Sequence, residues 1–265
     1  MRIGTLGNGL MAEALARHWA REHEVMIGGR DPGRASELAG RIGSQAGTLQ
    51  EATIFGDVLL LALPAEVAVD AVRGLEIPPG RILIDCTNAI DQQDFTLAEP
   101  AMAERIARAV PHVHVVKAFN LAADSVWKRP PDGLGVPLCG DDPAAVTRVG
   151  QLISDLGCTP VPAGGLGRGK LLEATAALAI GIWVTGGDVR RMFPPLDAAF
   201  GSVRPGQPEA PDREEEIGAG PAEAAEVGPR RRRVGVVEAH ENAGCADEAE
   251  QHHHSGDQAA PAQPS

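Results

Sequence analysis

The chain has 265 residues, a formal net charge of −12 at pH 7, 3% aromatic residues and no tyrosine. The negative charge argues against nucleic acid or an anionic membrane as a partner, and the scarcity of aromatic side chains argues against a surface that stacks bases. No apolar run approaches the roughly 20 residues of a membrane-spanning helix, and the N-terminus begins in a strand pattern without a signal peptide's apolar core. Four cysteines without CxxC spacing are typical of reduced thiols, so we expect a cytoplasmic protein.

Strand and helix patterns alternate along the first half of the chain. Strands are predicted over residues 2–6, 24–28, 58–63, 82–86 and 113–119. Helices are predicted over residues 10–22, 32–41, 66–75 and 98–109, and a capping box of Thr48 and Glu51 predicts one more short helix. This alternation predicts a Rossmann-type, doubly wound parallel α/β sheet with right-handed crossovers.

The turn between the first strand and the first helix has the pattern Gly7-x-Gly9-x-x-Ala12. In this pattern the first glycine permits a tight turn, the second lets the backbone approach a pyrophosphate, and the alanine lets the helix pack close to the sheet. Because the pattern lies inside a βαβ unit of suitable length, it predicts dinucleotide binding.

The end of the second strand predicts which dinucleotide is bound. NAD-specific sites place a carboxylate about 20 residues after the glycines, whereas this chain has Gly29 and Arg30 there. Arg30 and Arg34 can hold an adenosine 2′-phosphate, and Gly29 leaves room for it. In the alternative, Asp31 binds the ribose. We favour Asp31 as the N-cap of a helix that begins at Pro32, and therefore predict NADP.

Side chains with catalytic chemistry are scarce in this sequence. His112 and His114 lack an identifiable third metal ligand, so we interpret them as structural or surface histidines and predict no metal site. Lys117, Asn120 and Asp124 follow a buried strand at the sheet edge where open α/β folds bind ligands. They are the polar groups best placed near a nicotinamide, although Lys117 could equally be a paired charge at the sheet rim.

Composition predicts three parts in the chain. Residues 1–140 form the predicted Rossmann NADP-binding domain. Residues 141–200 form a small, mostly helical C-terminal unit, with a helix over 142–156 and an apolar helix over 169–192 interrupted near Gly186 and Gly187. Residues 201–265 are rich in Pro, Gly and Glu and poor in large apolar side chains, which predicts a disordered acidic tail.

Several segments, in order and spacing, resemble the NADPH-dependent reductases of the deazaflavin coenzyme F420. They are MRIGTLGNGLMAEALA, EVMIGGRDP, VVKAFN, VPLCGDD and DLGCTPVPAGGLGRGKLLEA, and they span roughly residues 1–200. The resemblance implies a Rossmann domain with a small helical unit, a homodimer, and two small-molecule cofactors, NADP and F420, in one cleft. It also implies direct hydride transfer between them, with no catalytic side chain.

The resemblance further implies a set of cofactor-binding residues. After the Gly7 turn, the NADP pyrophosphate would be bound by Asn8, Gly9, Leu10 and Met11. The 2′-phosphate would be bound by Gly29, Arg30 and Arg34. The nicotinamide side would be formed by Leu63, Pro64, Ala65, Asn88, Ala118 and Asn120.

This chain departs from the family pattern at three positions. Gly29 replaces a small hydroxyl residue, Ala65 stands where many members have an aromatic residue after the proline, and Leu121 replaces a frequent threonine. The last two departures lie on the acceptor side. Two alternatives therefore stay open: an NADPH-dependent reductase of a small imine or carbonyl compound, and a non-catalytic NADP-sensing module.

Overall fold

Strands and helices alternate along residues 1–192, which is the part of the chain that the computed structural model describes. The strands are β1 (Arg2–Leu6), β2 (Glu24–Gly28), β3 (Gln45–Gly47), β4 (Val58–Leu61), β5 (Ile82–Asp85), β6 (His114–Lys117), β7 (Gly135–Gly140) and β8 (Thr159–Pro162). The helices are α1 (Leu10–Trp19), α2 (Pro32–Ile42), α3 (Leu49–Phe55), α4 (Ala65–Arg73), α5 (Met102–Ala109), α6 (Asp124–Lys128), α7 (Pro143–Ser154) and α8 (Gly169–Val184). The predicted tail over 201–265 lies outside the described residues.

The strands form one sheet in the order β3-β2-β1-β4-β5-β6-β7-β8. The first six strands are parallel to one another, β7 runs antiparallel to β6, and β8 pairs in parallel with β7. The predicted Rossmann-type sheet is thus confirmed. Because the strand order reverses between β1 and β4, a crevice opens at the carboxyl ends of these two strands, where doubly wound sheets bind ligands.

Two apolar clusters cover the two faces of the sheet. One contains the buried sides of α1, α2 and α7, and the other contains those of α4 and α5. In the first cluster Phe119 lies edge-on to both Trp19 and Trp127, with ring centroids 5.8 and 5.4 Å apart. Trp127 belongs to α6, so this aromatic group fixes the short α6 against α1.

The second half of the described chain adds strands as well as helices. The N-cap of α7 is Asp142, whose carboxylate accepts a hydrogen bond from the Ala145 N–H at 2.7 Å. Helix α8 ends at Val184, Gly186 follows with a positive φ of 83°, and a 3₁₀ turn spans Val189–Met192. Across residues 1–192, no helix has both the length and the apolar character needed to cross a membrane.

Helix α3 lies on β1 and β2 at backbone contact, which three glycines permit. A Cβ on Gly4 would collide with the carbonyl oxygen of Ala52, and one on Gly28 would lie 2.7 Å from the Ala52 Cβ. A Cβ on Gly56 would lie 2.5 Å from the Gly4 nitrogen. This close packing sets the position of β1, and therefore of the turn that follows β1.

Replacing Gly4 with alanine is expected to lower the free energy of unfolding by about 2 kcal/mol or more, because the new methyl group has no space. Gly40 is the matched control, since it lies inside α2 where a Cβ meets nothing within 4 Å. Gly40→Ala should raise the free energy of unfolding by roughly 0.5–1 kcal/mol. Urea unfolding followed by circular dichroism measures both changes, and a shift of the same sign in both would contradict this account.

Candidate dinucleotide-binding site

The glycine-rich turn after β1 contains two glycines, of which Gly7 is required by the backbone geometry and Gly9 is not. Gly7 has a φ of +126°, and a Cβ there would collide with the Ala62 carbonyl oxygen. A Cβ on Gly9 would meet no atom within 4 Å among the described residues. Gly9 is the N-cap of α1, and no side chain in residues 1–192 caps that helix. The first N–H groups of α1 are therefore free to bind a phosphate.

Asn8 and Gly29 lie against each other across this turn. A Cβ on Gly29 would lie 2.6 Å from Asn8 Nδ2, so the Asn8 side chain occupies the space that a larger residue would need. Asn8 Nδ2 is buried and has no hydrogen-bond partner within the described part of the chain. Such an amide is a donor in need of an acceptor. Asn8 is therefore a candidate donor to a ligand bound beside Gly29.

The predicted cap of α2 is present. The Asp31 carboxylate accepts hydrogen bonds from the N–H groups of Gly33 at 2.9 Å and Arg34 at 3.2 Å, and Pro32 is the first helical residue. Arg30 and Arg34 are exposed, and neither forms an ion pair within residues 1–192. A cation in the first turn of a helix is electrostatically unfavourable. A bound anion beside Arg34 would remove that penalty.

A cavity of about 360 Å³ lies at the carboxyl ends of β4 and β5, beside the start of α1. Six of the twelve residues that line it were predicted to bind the cofactor, namely Leu10, Met11, Leu63, Pro64, Ala65 and Asn88. Asn120 does not line the cavity but is bonded to Asn88. The Asn88 side-chain amide donates to the Asn120 carbonyl oxygen at 2.6 Å, and the Asn120 side-chain amide donates to Asn88 Oδ1 at 3.0 Å. Ala118 is fully buried beneath the cavity and does not line it. We call this space the nicotinamide cavity, after the ring that the sequence resemblance predicts there.

Lys117 does not face the nicotinamide cavity. Its ammonium group lies 2.9 Å from Asp85 Oδ2 and 3.0 Å from Glu173 Oε1, and all three side chains are fully buried. It also donates to the Thr87 carbonyl oxygen at 2.5 Å. Burial acts to lower the pKa of Lys117, but the two carboxylates outweigh it and hold the pKa above its ordinary value. Lys117 is therefore a paired structural charge and not a proton donor to a ligand.

The carboxylates of Asp85 and Glu173 also accept hydrogen bonds from neighbouring backbone N–H groups. Asp85 Oδ1 accepts from the Thr87 N–H at 2.9 Å and from the Thr87 hydroxyl at 2.7 Å, which fixes the loop that leads to Asn88. Glu173 accepts from the N–H groups of Met102 at 3.0 Å and Ala103 at 3.2 Å, at the start of α5. We call Lys117, Asp85 and Glu173 the buried triad. Sequence reasoning missed Asp85 and Glu173, although a single carboxylate in the apolar α8 was a signal.

Cys86 lines the nicotinamide cavity but is chemically quiet. Burial, reinforced by the charge of Asp85, raises the pKa of its thiol to about 12. Its Sγ donates to the Leu61 carbonyl oxygen at 3.3 Å. The thiol therefore stays protonated at neutral pH and is a poor nucleophile. Within residues 1–192, no three His, Cys, Asp or Glu side chains cluster to hold a metal.

Comparison with known proteins agrees with this site. Residues 2–89 match the model of the family described as NADP oxidoreductase, coenzyme F420-dependent. A solved structure of a hypothetical protein from Sinorhizobium meliloti is 30% identical with a TM-score of 0.56, over 64% of this chain and 86% of that one. A protein of Arthrobacter sp. FB24, provisionally described as an F420-dependent NADP reductase, is 24% identical with a TM-score of 0.62, over 70% and 95% of the two chains.

A curated relative is longer than the region that matches. The rat (Rattus norvegicus) metalloreductase STEAP3 is 29% identical over 185 residues, which are 69% of this chain and 38% of that protein. This chain therefore spans well under half the length of that relative. The fold, the glycine-rich turn and these matches define a Rossmann-type domain related to NADP oxidoreductases. The chain belongs to the family of F420-dependent NADP oxidoreductases.

Replacing Lys117 with methionine removes the positive charge of the buried triad and keeps a side chain of similar length. The carboxylates of Asp85 and Glu173 then stay buried without a counter-charge, so the free energy of unfolding should fall by roughly 3–5 kcal/mol. Lys128→Met is the control, because Lys128 is half exposed where it pairs with Asp124 at 2.8 Å, and its loss should be at most about 1 kcal/mol.

Urea denaturation at neutral pH measures both losses. Adding Glu173→Gln to Lys117→Met should restore part of the stability, because one uncompensated charge is removed. Equal, small losses in the two lysine variants would show that the buried triad does not stabilise this edge of the sheet.

Proposed function

We propose that the protein transfers hydride between NADP(H) and the deazaflavin coenzyme F420. The observation that carries this proposal is the nicotinamide cavity itself. Eight of its twelve lining residues are apolar, and the other four are Cys86 with a protonated thiol, Thr87, Asn88 bonded to Asn120, and Asp124. Such a cavity suits a reaction in which two cofactors supply the chemistry and the protein supplies orientation and exclusion of water.

The residues present fit NADP at each of its charged groups. The pyrophosphate would accept hydrogen bonds from the free N–H groups at Gly9, Leu10 and Met11, and Gly9 leaves it open space. The unpartnered Asn8 amide would donate to the same group or to the adjacent ribose phosphate. Arg30 and Arg34 would bind the 2′-phosphate beside the first turn of α2.

The nicotinamide would lie against Leu63, Pro64 and Ala65 at the end of β4. Asn88 sits across the cavity, where its orientation is fixed by Asn120 and by the Thr87 loop on the buried triad. NADPH would supply a hydride with its electron pair, and the deazaflavin would accept it together with a proton from solvent. The chain's own residues would hold the two rings together and limit the access of bulk water to the transferred hydride.

A reductase of an imine or carbonyl compound is the second candidate, and Asp124 is the observation that favours it. Such a reaction needs a positioned proton donor. Lys117 is buried in the triad and Asn120 is bonded to Asn88, whereas Asp124 lines the nicotinamide cavity and pairs with Lys128. Of the three polar groups predicted near the nicotinamide, only Asp124 is placed to donate a proton.

We also propose that the protein is a cytoplasmic homodimer. Helix α8 exposes Leu178, Trp183 and Val184, and an apolar surface of this kind is commonly covered by a second subunit. The thiols of Cys86, Cys139 and Cys158 are free, which accords with a reducing compartment.

Mixing the protein with NADPH and oxidised F420 should bleach the visible absorbance of the deazaflavin. Asp124→Asn should change the rate by no more than about threefold, since cofactor-to-cofactor transfer needs no acid, whereas an imine or carbonyl reductase would lose about 100-fold or more. No bleaching alongside authentic reductase as a positive control would overturn the proposal. Tight NADPH binding without oxidation by any acceptor would instead identify an NADP-sensing module.

Replacing Arg30 with alanine should weaken NADPH binding about tenfold or more and leave NADH binding within about twofold, because only NADPH carries the 2′-phosphate. Arg41→Ala is a matched control: it removes the same charge from the last turn of α2, where Arg41 pairs with Glu13 and Glu37. Fluorescence titration of both nucleotides gives the two dissociation constants. Equal weakening of NADPH and NADH by Arg30→Ala would mean that this arginine does not bind the phosphate.

A further inference from the structure

A second and larger cavity, of about 800 Å³, lies on the α1 face of the sheet. It shares no lining residue with the nicotinamide cavity. Four of its ten lining residues are cations, Arg17 and Arg21 from α1 and its end, and Lys128 and Arg129 from the end of α6. We call this cavity the basic groove.

The basic groove carries more positive charge than its own carboxylates neutralise. Glu13 pairs with Arg17 at 2.7 Å and with Arg41 at 3.0 Å, Asp155 pairs with His23 at 2.8 Å, and Lys128 pairs with Asp124, which does not line the groove, at 2.8 Å. Arg21 and Arg129 form no ion pair with any residue that the structure describes. An excess of cations around one cavity, in a chain with a net charge of −12, indicates an anionic ligand.

The helices that form the basic groove also form the nicotinamide cavity. Helix α1 contributes Leu10 and Met11 to the nicotinamide cavity and Arg17 to the basic groove. Helix α6 contributes Asp124 to the first and Lys128 to the second. At a rise of about 1.5 Å per residue, the two cavities are separated by roughly 6 Å along α6 and 10 Å along α1.

The contact between the two helices is also fixed. The ring of His18, on α1, lies with its Nε2 2.9 Å from the Trp127 carbonyl oxygen, on α6, and Trp127 is buried against Phe119. Arg17 and Lys128 are therefore on two helices that are held together, and Arg21 and Arg129 lie two residues and one residue beyond the ends of these helices. A ligand that binds across them does not have to order the helices first.

We propose that the basic groove binds the anionic side chain of the deazaflavin cosubstrate, whose ring occupies the nicotinamide cavity. This inference rests on the proposed function. A deazaflavin coenzyme that carries a phosphodiester and carboxylates on a flexible arm offers anionic groups of the kind that guanidinium groups bind. Arg21 and Arg129 donate to these anionic groups, and the basic groove thereby selects deazaflavins that carry the full side chain over those that lack it.

The test compares two acceptors at saturating NADPH: F420, and its riboside without phosphate or carboxylates. Arg21→Ala/Arg129→Ala should raise the KM for F420 about tenfold, leave the KM for the riboside within about twofold, and leave kcat unchanged. Arg73→Ala/Arg108→Ala is the matched control, because it removes the same charge from exposed arginines on α4 and α5. The control variant should show wild-type KM values for both acceptors.

Three results would overturn the inference while leaving the proposed function intact. They are equal KM values of the wild-type protein for F420 and the riboside, equal effects of the groove variant on both acceptors, and equal effects of the groove and control variants on F420. A wild-type protein that reduces neither acceptor would instead overturn the proposed function and the inference together.

Discussion

The charge of Lys117 is the constraint on which the carboxyl edge of the sheet depends. An ammonium group and two carboxylates are removed from water together, at a cost that only close pairing can offset. At separations of 2.9 and 3.0 Å, and with backbone N–H groups satisfying the remaining oxygens, the pairing is complete. The buried triad thereby joins β5, β6, α5 and α8 and fixes the loop before Asn88. The conformation of the Thr87 loop and the position of α8 therefore both depend on the charge of Lys117.

Around β1, close backbone contacts rather than charges set the positions of α3 and of the glycine-rich turn. Gly4 lets α3 approach β1, Gly7 turns the chain under the Ala62 carbonyl group, and Gly29 accommodates Asn8. None of these three needs a ligand to explain it. Gly9 differs from them, because open space surrounds it at a helix start that lacks a side-chain cap in the described chain, and this leaves room for a phosphate. The fold therefore requires glycine at position 7, whereas glycine at position 9 leaves space for a phosphate.

Local signals predicted most of the fold. The capping box of Thr48 and Glu51 and the cap at Asp31 each involve residues at most three apart, so the sequence contains both partners. The three-residue β3 and the five-residue α6 were missed because such short segments have no periodicity, and α6 is held by Trp127 through tertiary packing. The partner of Lys117 on α8 lies 56 residues away, and only the folded sheet brings the two together.

These constraints explain why the site is chemically quiet where the cofactors would meet. Lys117 is paired with two buried carboxylates, the Cys86 thiol is held protonated by burial, and Asn88 is bonded to Asn120. Positive charge without an ion pair in residues 1–192 is found instead at Arg30, at Arg34 and in the basic groove, as well as at Arg148, Arg168 and Arg191. Charged side chains in this chain would therefore bind the anionic groups of its ligands, and the rings would meet in a cavity where, among the described residues, Asp124 is the one group placed to exchange a proton.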